Sequence, residues 1–460
     1  MDGLTIVYLP IIQNHIDDAT LPPELLSSSR TLNAPFFDVT DVTSDRFSEM
    51  AIFWLGKVTS IDNYTDVRVG YNQTSLFIRT GTFDRKLWFD LQPTPSTFTN
   101  WDTISLVIDT NGNPGSQPSS TSYRLVTELN INAGSDNPSY KASYTGNGSG
   151  WTSASIAFHA NPGWRGEGYN EDTAEDRGWV LSFEIPFASL GLGSPPPDGT
   201  VWRLGVQVFD RDDEDGTPIT PQIWPELMLD NDPSTWGRLR FGLPIYTPPD
   251  VEETDSIMIQ NKLNGANVLD AAVGGTIGNL CPGDTEFIWN IWGNLNFAGA
   301  PDFNIQNQAD VADWPCFAKY YLTFPLEQIP YGKSIISATL TLHQFGGSDP
   351  TLAYPSLVQV FIIGQNWNES TITWNNAPLA LENVSQAWVN PTAFPGWPGI
   401  PYEWDLTRAV ARAYQMSIPL RLAMYEADAA MHSGKYFSSS DAGDWNYQAR
   451  PTLVVVWGEP

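Results

Sequence analysis

The chain is poor in the residues that most enzyme chemistries need. Of its 460 residues only four are histidine and two are cysteine. His15, His159, His343 and His432 stand at no metal-ligand spacing to one another or to a cysteine, which argues against a zinc centre. There is no Gly-x-Ser-x-Gly elbow, no phosphate-cradling glycine loop and no dinucleotide fingerprint. No apolar run reaches the ~18 residues of a membrane span. The apolar start Leu4–Ile12 is too short for one. It also lacks a basic flank and a small-residue cleavage site. It is expected to open a mature chain whose export signal has been removed. Cations are scarce as well: 23 Lys and Arg face 52 Asp and Glu, a net charge of -29. Such a surface repels nucleic-acid phosphates and anionic lipid heads. It suits neutral glycans, cationic groups or divalent metals, and a polyanionic glycan would need bridging Ca²⁺ or a locally basic groove. The same charge can also serve solubility alone.

Glycine (37) and proline (36) recur throughout, and helical periodicity is rare. Alternating segments predict strands over 66–69, 75–79, 103–108, 179–185, 202–209, 339–343, 357–362 and 452–456. Short strands between Gly/Pro/Asn turns imply an all-β chain of sandwiches. The clearest helix runs from Leu406 to Tyr414, with Asp405 as its cap. The length implies two domains. The proline- and acid-rich stretch Pro244–Thr254 marks the boundary. The expected division is a tether over 1–29, a first sandwich over 30–245, a linker over 246–254 and a second sandwich over 255–460.

Trp367-Asn-Glu-Ser-Thr-Ile-Thr-Trp374-Asn-Asn-Ala-Pro378 reads as a short strand from Ser370 to Trp374, broken by Asn and Pro378. Its Ile372 and Trp374 are expected to pack a core. The segment resembles the signature of the DNRLRE-type β-sandwich, which includes the family 96 carbohydrate-binding modules. Lys319–Pro330, Ile335–Leu342, Trp404–Thr407 and Arg450–Val456 resemble that family's other motifs. Pro325 and the Cys- and Trp-rich insertion near 279–318 depart from it. The resemblance implies an extracellular, glycan-handling accessory protein.

The first domain carries Leu76–Asp84, Trp101–Asp109, Gly178–Pro186 and Trp236–Phe241. In order and coverage these resemble the family 9 carbohydrate-binding and DOMON-like modules. The resemblance implies a sugar clamped between tryptophans and fixed by polar side chains. The candidate platforms are Trp88, Trp224 and Trp236, with Arg85, Gln222 and Glu226 as companions. Trp101 belongs to a fold motif. With 19 tryptophans, each can equally be a core filler.

Asp210, Asp212 and Asp215 in the loop Asp210–Gly216, together with Asp109, are oxygen ligands that could hold Ca²⁺, or simply solvated turns. Cys281 and Cys316 would form a disulfide in an exported chain, or remain two buried thiols. Trp289, Trp292 and Trp314 form either a sugar platform or a small core for the insertion. Trp388, Trp397 and Trp445 are further loop aromatics.

The expected protein is secreted, non-catalytic and carbohydrate-binding. Its partner would be a polysaccharide or cell-surface glycan, with no nucleic acid and no membrane insertion, and self-association stays open. The alternatives are a structural surface, matrix or adhesion protein, and a polysaccharide lyase or glycoside hydrolase. For a hydrolase, Glu184, Glu226, Glu369 and Asp405 are available carboxylates.

Overall fold

The computed structural model describes residues 30–459 apart from 41, 43, 132–135, 174, 252, 276–284, 308–316 and 428–432. The tether 1–29, Cys281, Cys316 and Trp314 lie outside the described residues. Among those described, no helix is long and apolar enough to cross a membrane.

Two β-sandwiches form the molecule. In the first, the sheet Ala51–Gly56, Tyr64–Tyr71, Ser75–Phe83, Gly178–Pro186 and His159–Arg165 covers a second layer. That layer comprises Gly237–Phe241, Val201–Phe209, Thr103–Asp109 and Ser122–Glu128. Phe53, Val67, Ile78 and Phe183 meet Leu106, Leu204 and Leu239 in the core between them. In the second sandwich, Leu269–Val273, Lys319–Phe324, Leu420–Glu426, Ser356–Ile363 and Ala380–Val389 form the inner sheet. Tyr320, Leu322 and Val358 from this sheet pack on Leu340, Phe437 and Leu453 of an outer sheet. The outer sheet comprises Thr254–Gln260, Thr452–Gly458, Ser334–Gly347, Lys435–Ser438 and Asp302–Ile305, and Ile400–Asp405 also pairs with Ser334–Gly347. The expected helix is observed over Thr407–Gln415 with Leu406, not Asp405, at its N-cap position, and the Asp405 carboxylate accepts the Thr407 N–H at 2.9 Å.

The sandwiches share a third core. Ala51, Phe53 and Leu55 face the first core, while Ile52 and Trp54 on the opposite face meet Tyr321, Phe361, Trp374 and Tyr425. In the strand Lys319–Phe324, Tyr320, Leu322 and Phe324 likewise face one core and Tyr321 another. A strand buried on both faces loses its alternation and reads as a continuous apolar run, as Ala51–Leu55 does. Thr31–Ala34 pairs in parallel with Gly237–Phe241 and touches Glu382 through Thr31, which joins both halves in one 13-stranded sheet.

Polar groups line the seam. Asn33 donates its N–H to Asn383 Oδ1 at 2.7 Å, and Asn383 Nδ2 donates to the Asn33 carbonyl at 3.0 Å. Asn375 likewise exchanges hydrogen bonds of 2.9 Å with the Val58 backbone. Backbone groups that would otherwise be buried unpaired are thus satisfied across the halves. At its centre lies Lys319, 2% exposed. Its Nζ stands over the rings of Trp374 at 3.6 Å, Trp54 at 4.3 Å, Tyr64 at 4.5 Å and Tyr425 at 4.6 Å. It also donates to Tyr64 Oη. Burial holds the Lys319 pKa well below its usual value, against the opposing pull of Asp66.

The segment Trp367–Pro378 differs from expectation. It holds turns and no strand. Asn368 Oδ1 accepts from Ser370 N at 2.9 Å and Asn376 Oδ1 from Thr373 N at 2.7 Å. These side chains satisfy the backbone that a ladder would have used. Ile372 and Trp374 do pack a core, at 2% and 5% exposure, and it is the one between the halves.

Candidate functional site

The structure removes the three named platforms from the surface. Trp88, Trp224 and Trp236 are 5%, 2% and 0% exposed. Trp224 stacks on Phe53 at 3.9 Å. Trp236 lies parallel to Trp151 and donates Nε1 to the Leu229 carbonyl at 2.9 Å. Arg211 stands over Trp101 at 4.0 Å and over Trp88 at 5.5 Å, so a guanidinium of the chain itself occupies those faces. A ring packed this way offers no face to a sugar.

The polar companions are also engaged. Arg85 holds Glu175 with bonds of 2.6 and 2.9 Å. Glu226 is ion-paired to Arg30, which also donates to the Ala380 carbonyl, so Glu226 serves the seam. Gln222 is half-buried beside Gly56, and a Cβ there would meet its Oε1 at 2.2 Å.

Of the named metal ligands, Asp210 and Asp212 come together, and Asp84 joins them. Asp215 is exposed and outside this group. Asp109 is buried elsewhere, where its carboxylate accepts from Asn111 N, Thr121 Oγ1 and Ser122 Oγ. There it closes a hydrogen-bonded turn.

Among the catalytic alternatives, Asp405 precedes the helix's N-cap residue Leu406 and accepts the Thr407 N–H, and Glu184 accepts from Ser75 Oγ at 3.0 Å. Glu369 groups with Asp270 and Asp441 beside a cavity of about 280 Å³ that Trp367 and Asn368 also line. Burial, then Asp270 and Asp441, push Glu369 up to about 7. Burial pushes Asp270 up to about 6, although Ser440 and Tyr320 donate to it.

The exposed aromatics gather elsewhere, around residues named only as further loop aromatics and two that were not named at all. Phe394, Trp397 and Trp445 are 60%, 48% and 71% exposed. Trp397 touches Phe345 at 5.1 Å, Phe394 at 5.2 Å and Trp445 at 5.2 Å between ring centroids. The local sequence builds this cluster. Gln344 pairs with Phe437 and Gly346 with Tyr436, which leaves Phe345 as a bulge that turns out of the ladder. Gln344 Nε2 donates to the Asn390 carbonyl at 3.0 Å and anchors the loop that carries Phe394 and Trp397. Gly399 has φ +107°, and a Cβ there would strike the Gln344 carbonyl oxygen at 2.6 Å. Trp445 sits at the start of the 3₁₀ turn Asp444–Ala449. Next to it, Asp444 pairs with Lys262 at 3.2 Å and with Arg450 at 2.5 Å. Arg450 and Lys262 hold the Asp444 carboxyl below the usual range. Trp388, 46% exposed, stands apart on the inner sheet.

Two exposed rings at 83°, with a carboxylate and an ammonium beside them, present apolar faces and hydrogen-bonding groups together. The signal in the sequence is Phe394-Pro-Gly-Trp-Pro-Gly399, two aromatics held out by residues that resist both helix and strand.

No curated protein matches the chain. A family 9 carbohydrate-binding module from Caldicellulosiruptor kristjanssonii in complex with cellotriose is similar at 13% identity, over 47% of this chain and 100% of that one, with a TM-score of 0.33. The same module in complex with glucose gives 14% identity over 47% and 98%, also at 0.33. Residues 282–455 match the model of Carbohydrate-binding module family 96, the family that the Trp367–Pro378 signature resembles.

Proposed function

We propose that the protein is an exported, non-catalytic accessory that binds a polysaccharide or cell-surface glycan at the Phe394–Trp397–Trp445 surface. The observation that carries this reading is the exposed aromatic cluster itself, in the half that matches family 96. Exposed, contiguous apolar rings cost solvation and mark contact sites. The axial C–H bonds of a pyranose suit an aromatic face, and its hydroxyls suit Asp444 and Lys262. Because the planes of Trp397 and Trp445 meet near a right angle, they form a corner. A corner accommodates a single chain or its end better than the flat face of a crystalline polymer.

A glycan array probed with the full chain tests the reading. Retention of neutral oligosaccharides, unchanged by EDTA, is expected. A blank array together with a Trp445-dependent dimer in sedimentation would make the cluster a contact between copies and overturn it.

A further inference from the structure

We propose that the second sandwich carries a further sugar-binding bay at Tyr331, so that one chain bridges two glycan strands. The bay presupposes that the chain binds a glycan at Trp397 and Trp445, and it lies elsewhere on the same half. A cavity of about 350 Å³ opens between the turn after Lys319–Phe324 and the end of the helix Thr407–Gln415. That is within the ~300–1,000 Å³ of ordinary ligand pockets. Leu326 and Ile329, 5% and 4% exposed, line it with the half-buried Ile418. Tyr331 lines it too, and at 96% it is the most open of the large apolar side chains among the described residues.

The local sequence holds that ring out. Pro330 and Gly332 flank it, and Gly332 has φ +80°. The same pairing of proline and glycine presents Trp397. Tyr414 of the helix fastens the turn on both sides of the ring. Its Oη accepts the Lys333 N–H at 2.9 Å and donates to the Pro330 carbonyl. A ring on a pinned turn is pre-organised, which lowers the ordering cost of binding.

Ser417 is the second mark of a site. It closes the helix in the left-handed region, φ +54°, where glycine is the usual residue. Ser417 N donates to the Tyr414 carbonyl at 3.0 Å, and Ile418 N donates to the Ala413 carbonyl at 3.1 Å. The strained serine keeps a hydroxyl at the cavity that glycine would not supply. Glu327 adds an exposed carboxylate, and among the described lining residues there is no Lys or Arg. Lys333, on the same turn, is bound to Glu459. Apolar walls, an aromatic face, a hydroxyl and an acceptor suit the C–H faces and hydroxyls of a neutral pyranose. A carboxylate with no cation beside it repels uronates and sulfated sugars.

The strand Ser334–Gly347 separates this bay from the aromatic surface. Tyr331 precedes the strand, and Trp397 packs on Phe345 near its end. Its 14 residues, at about 3.3 Å each, span about 40 Å. Two sites at opposite ends of one domain favour two separate glycan chains over neighbouring sugars of one, so binding becomes bridging.

Calorimetric titration of the full chain with cellohexaose, xylohexaose and mannohexaose tests the bay, followed by turbidity with hydroxyethyl cellulose, xylan and galactomannan. With one of these sugars the wild type is expected to take about two ligands per chain and to cross-link the matching polymer. Tyr331→Ala and Trp445→Ala should each leave one site and abolish cross-linking. Both side chains are largely exposed, so both variants should fold. Tyr331→Ala should weaken the bay about tenfold or more. Ser417→Gly should melt higher, since glycine takes the left-handed φ freely, yet bind the sugar at the bay more weakly. One site per chain, removed by Trp445→Ala and untouched by Tyr331→Ala, overturns the bay and leaves the Trp397–Trp445 surface standing. Cross-linking that survives Tyr331→Ala also overturns the bay. Binding lost in Tyr331→Ala alone overturns the aromatic surface, and the bridging with it. A wild type that binds none of the three sugars overturns the bay, and a blank glycan array overturns the aromatic surface as well.

Discussion

Trp374→Ala probes the core between the two sandwiches. The ring is 5% exposed and is the nearest of those around Lys319, at 3.6 Å. It also meets Trp292 and Tyr64, each at 4.9 Å, so it touches both halves of the chain. Truncating a buried Trp to Ala costs about 3–5 kcal/mol in transfer and cavity terms. Losing a desolvated cation–π contact adds about 1–2 kcal/mol. The expected total is about 5 kcal/mol, a large share of the ~5–15 kcal/mol by which folded proteins are usually stable. In differential scanning calorimetry this should lower the transition by roughly 5–10 °C for a chain of this size. Far-UV and near-UV circular dichroism should follow the same shift. Trp367→Ala, in the same segment but partly exposed, should have a much smaller effect. A Trp374→Ala midpoint within about 2 °C of wild type would refute the claim that this ring anchors the seam.

Other expectations concern the first sandwich. Glu128 is wholly buried, with Oε1 accepting the Asp90 N–H and Oε2 unpartnered, and burial raises its pKa to about 8. Its folded pKa lies above the unfolded value, so its favourable contribution is complete below about pH 4.5 and is lost as the pH rises through about 8. The shift corresponds to about 4–5 kcal/mol at most. Glu128→Gln should therefore flatten the fall in melting temperature between pH 5 and 8.5 in EDTA, whereas an unchanged slope would assign that fall to other groups. Arg211→Ala strips the cover from Trp101 and should cost about 1–2 kcal/mol in urea unfolding. It should leave glycan retention intact, since the proposed binding surface lies in the other half, at Phe394, Trp397 and Trp445. Loss of retention in that variant would return the site to the first sandwich.

The strands were legible because alternation reports one wet face and one dry face. Segments such as 103–108, 202–209 and 452–456 lie within observed strands. The helix was legible to within a residue, since Asp405 stands just before its N-cap Leu406. The seam was not, although Ala51–Leu55 carries its mark: an unbroken apolar run signals two buried faces, but it does not say what covers the second. The segment Trp367–Pro378 lies within the stretch that matches the family 96 model, yet its alternation imitated a strand while its asparagines built turns. Trp88, Trp224 and Trp236 could not be told from surface tryptophans by sequence, because a tryptophan beside a charged loop serves equally as platform or filler. Asp84 was not grouped with Asp210 and Asp212 because they come from the loop after a strand more than a hundred residues away. Proline and glycine around Trp397 were the better guide, since they keep a ring out of any packed element.

The most direct test of glycan binding is isothermal titration of the best array ligand against wild type, Trp397→Ala and Trp445→Ala. Both rings are largely exposed, so both variants should fold with unchanged circular dichroism. Removing a central aromatic contact is expected to cost about 2 kcal/mol, roughly a thirty-fold loss of affinity for each variant. Wild-type affinity in both variants would contradict the account.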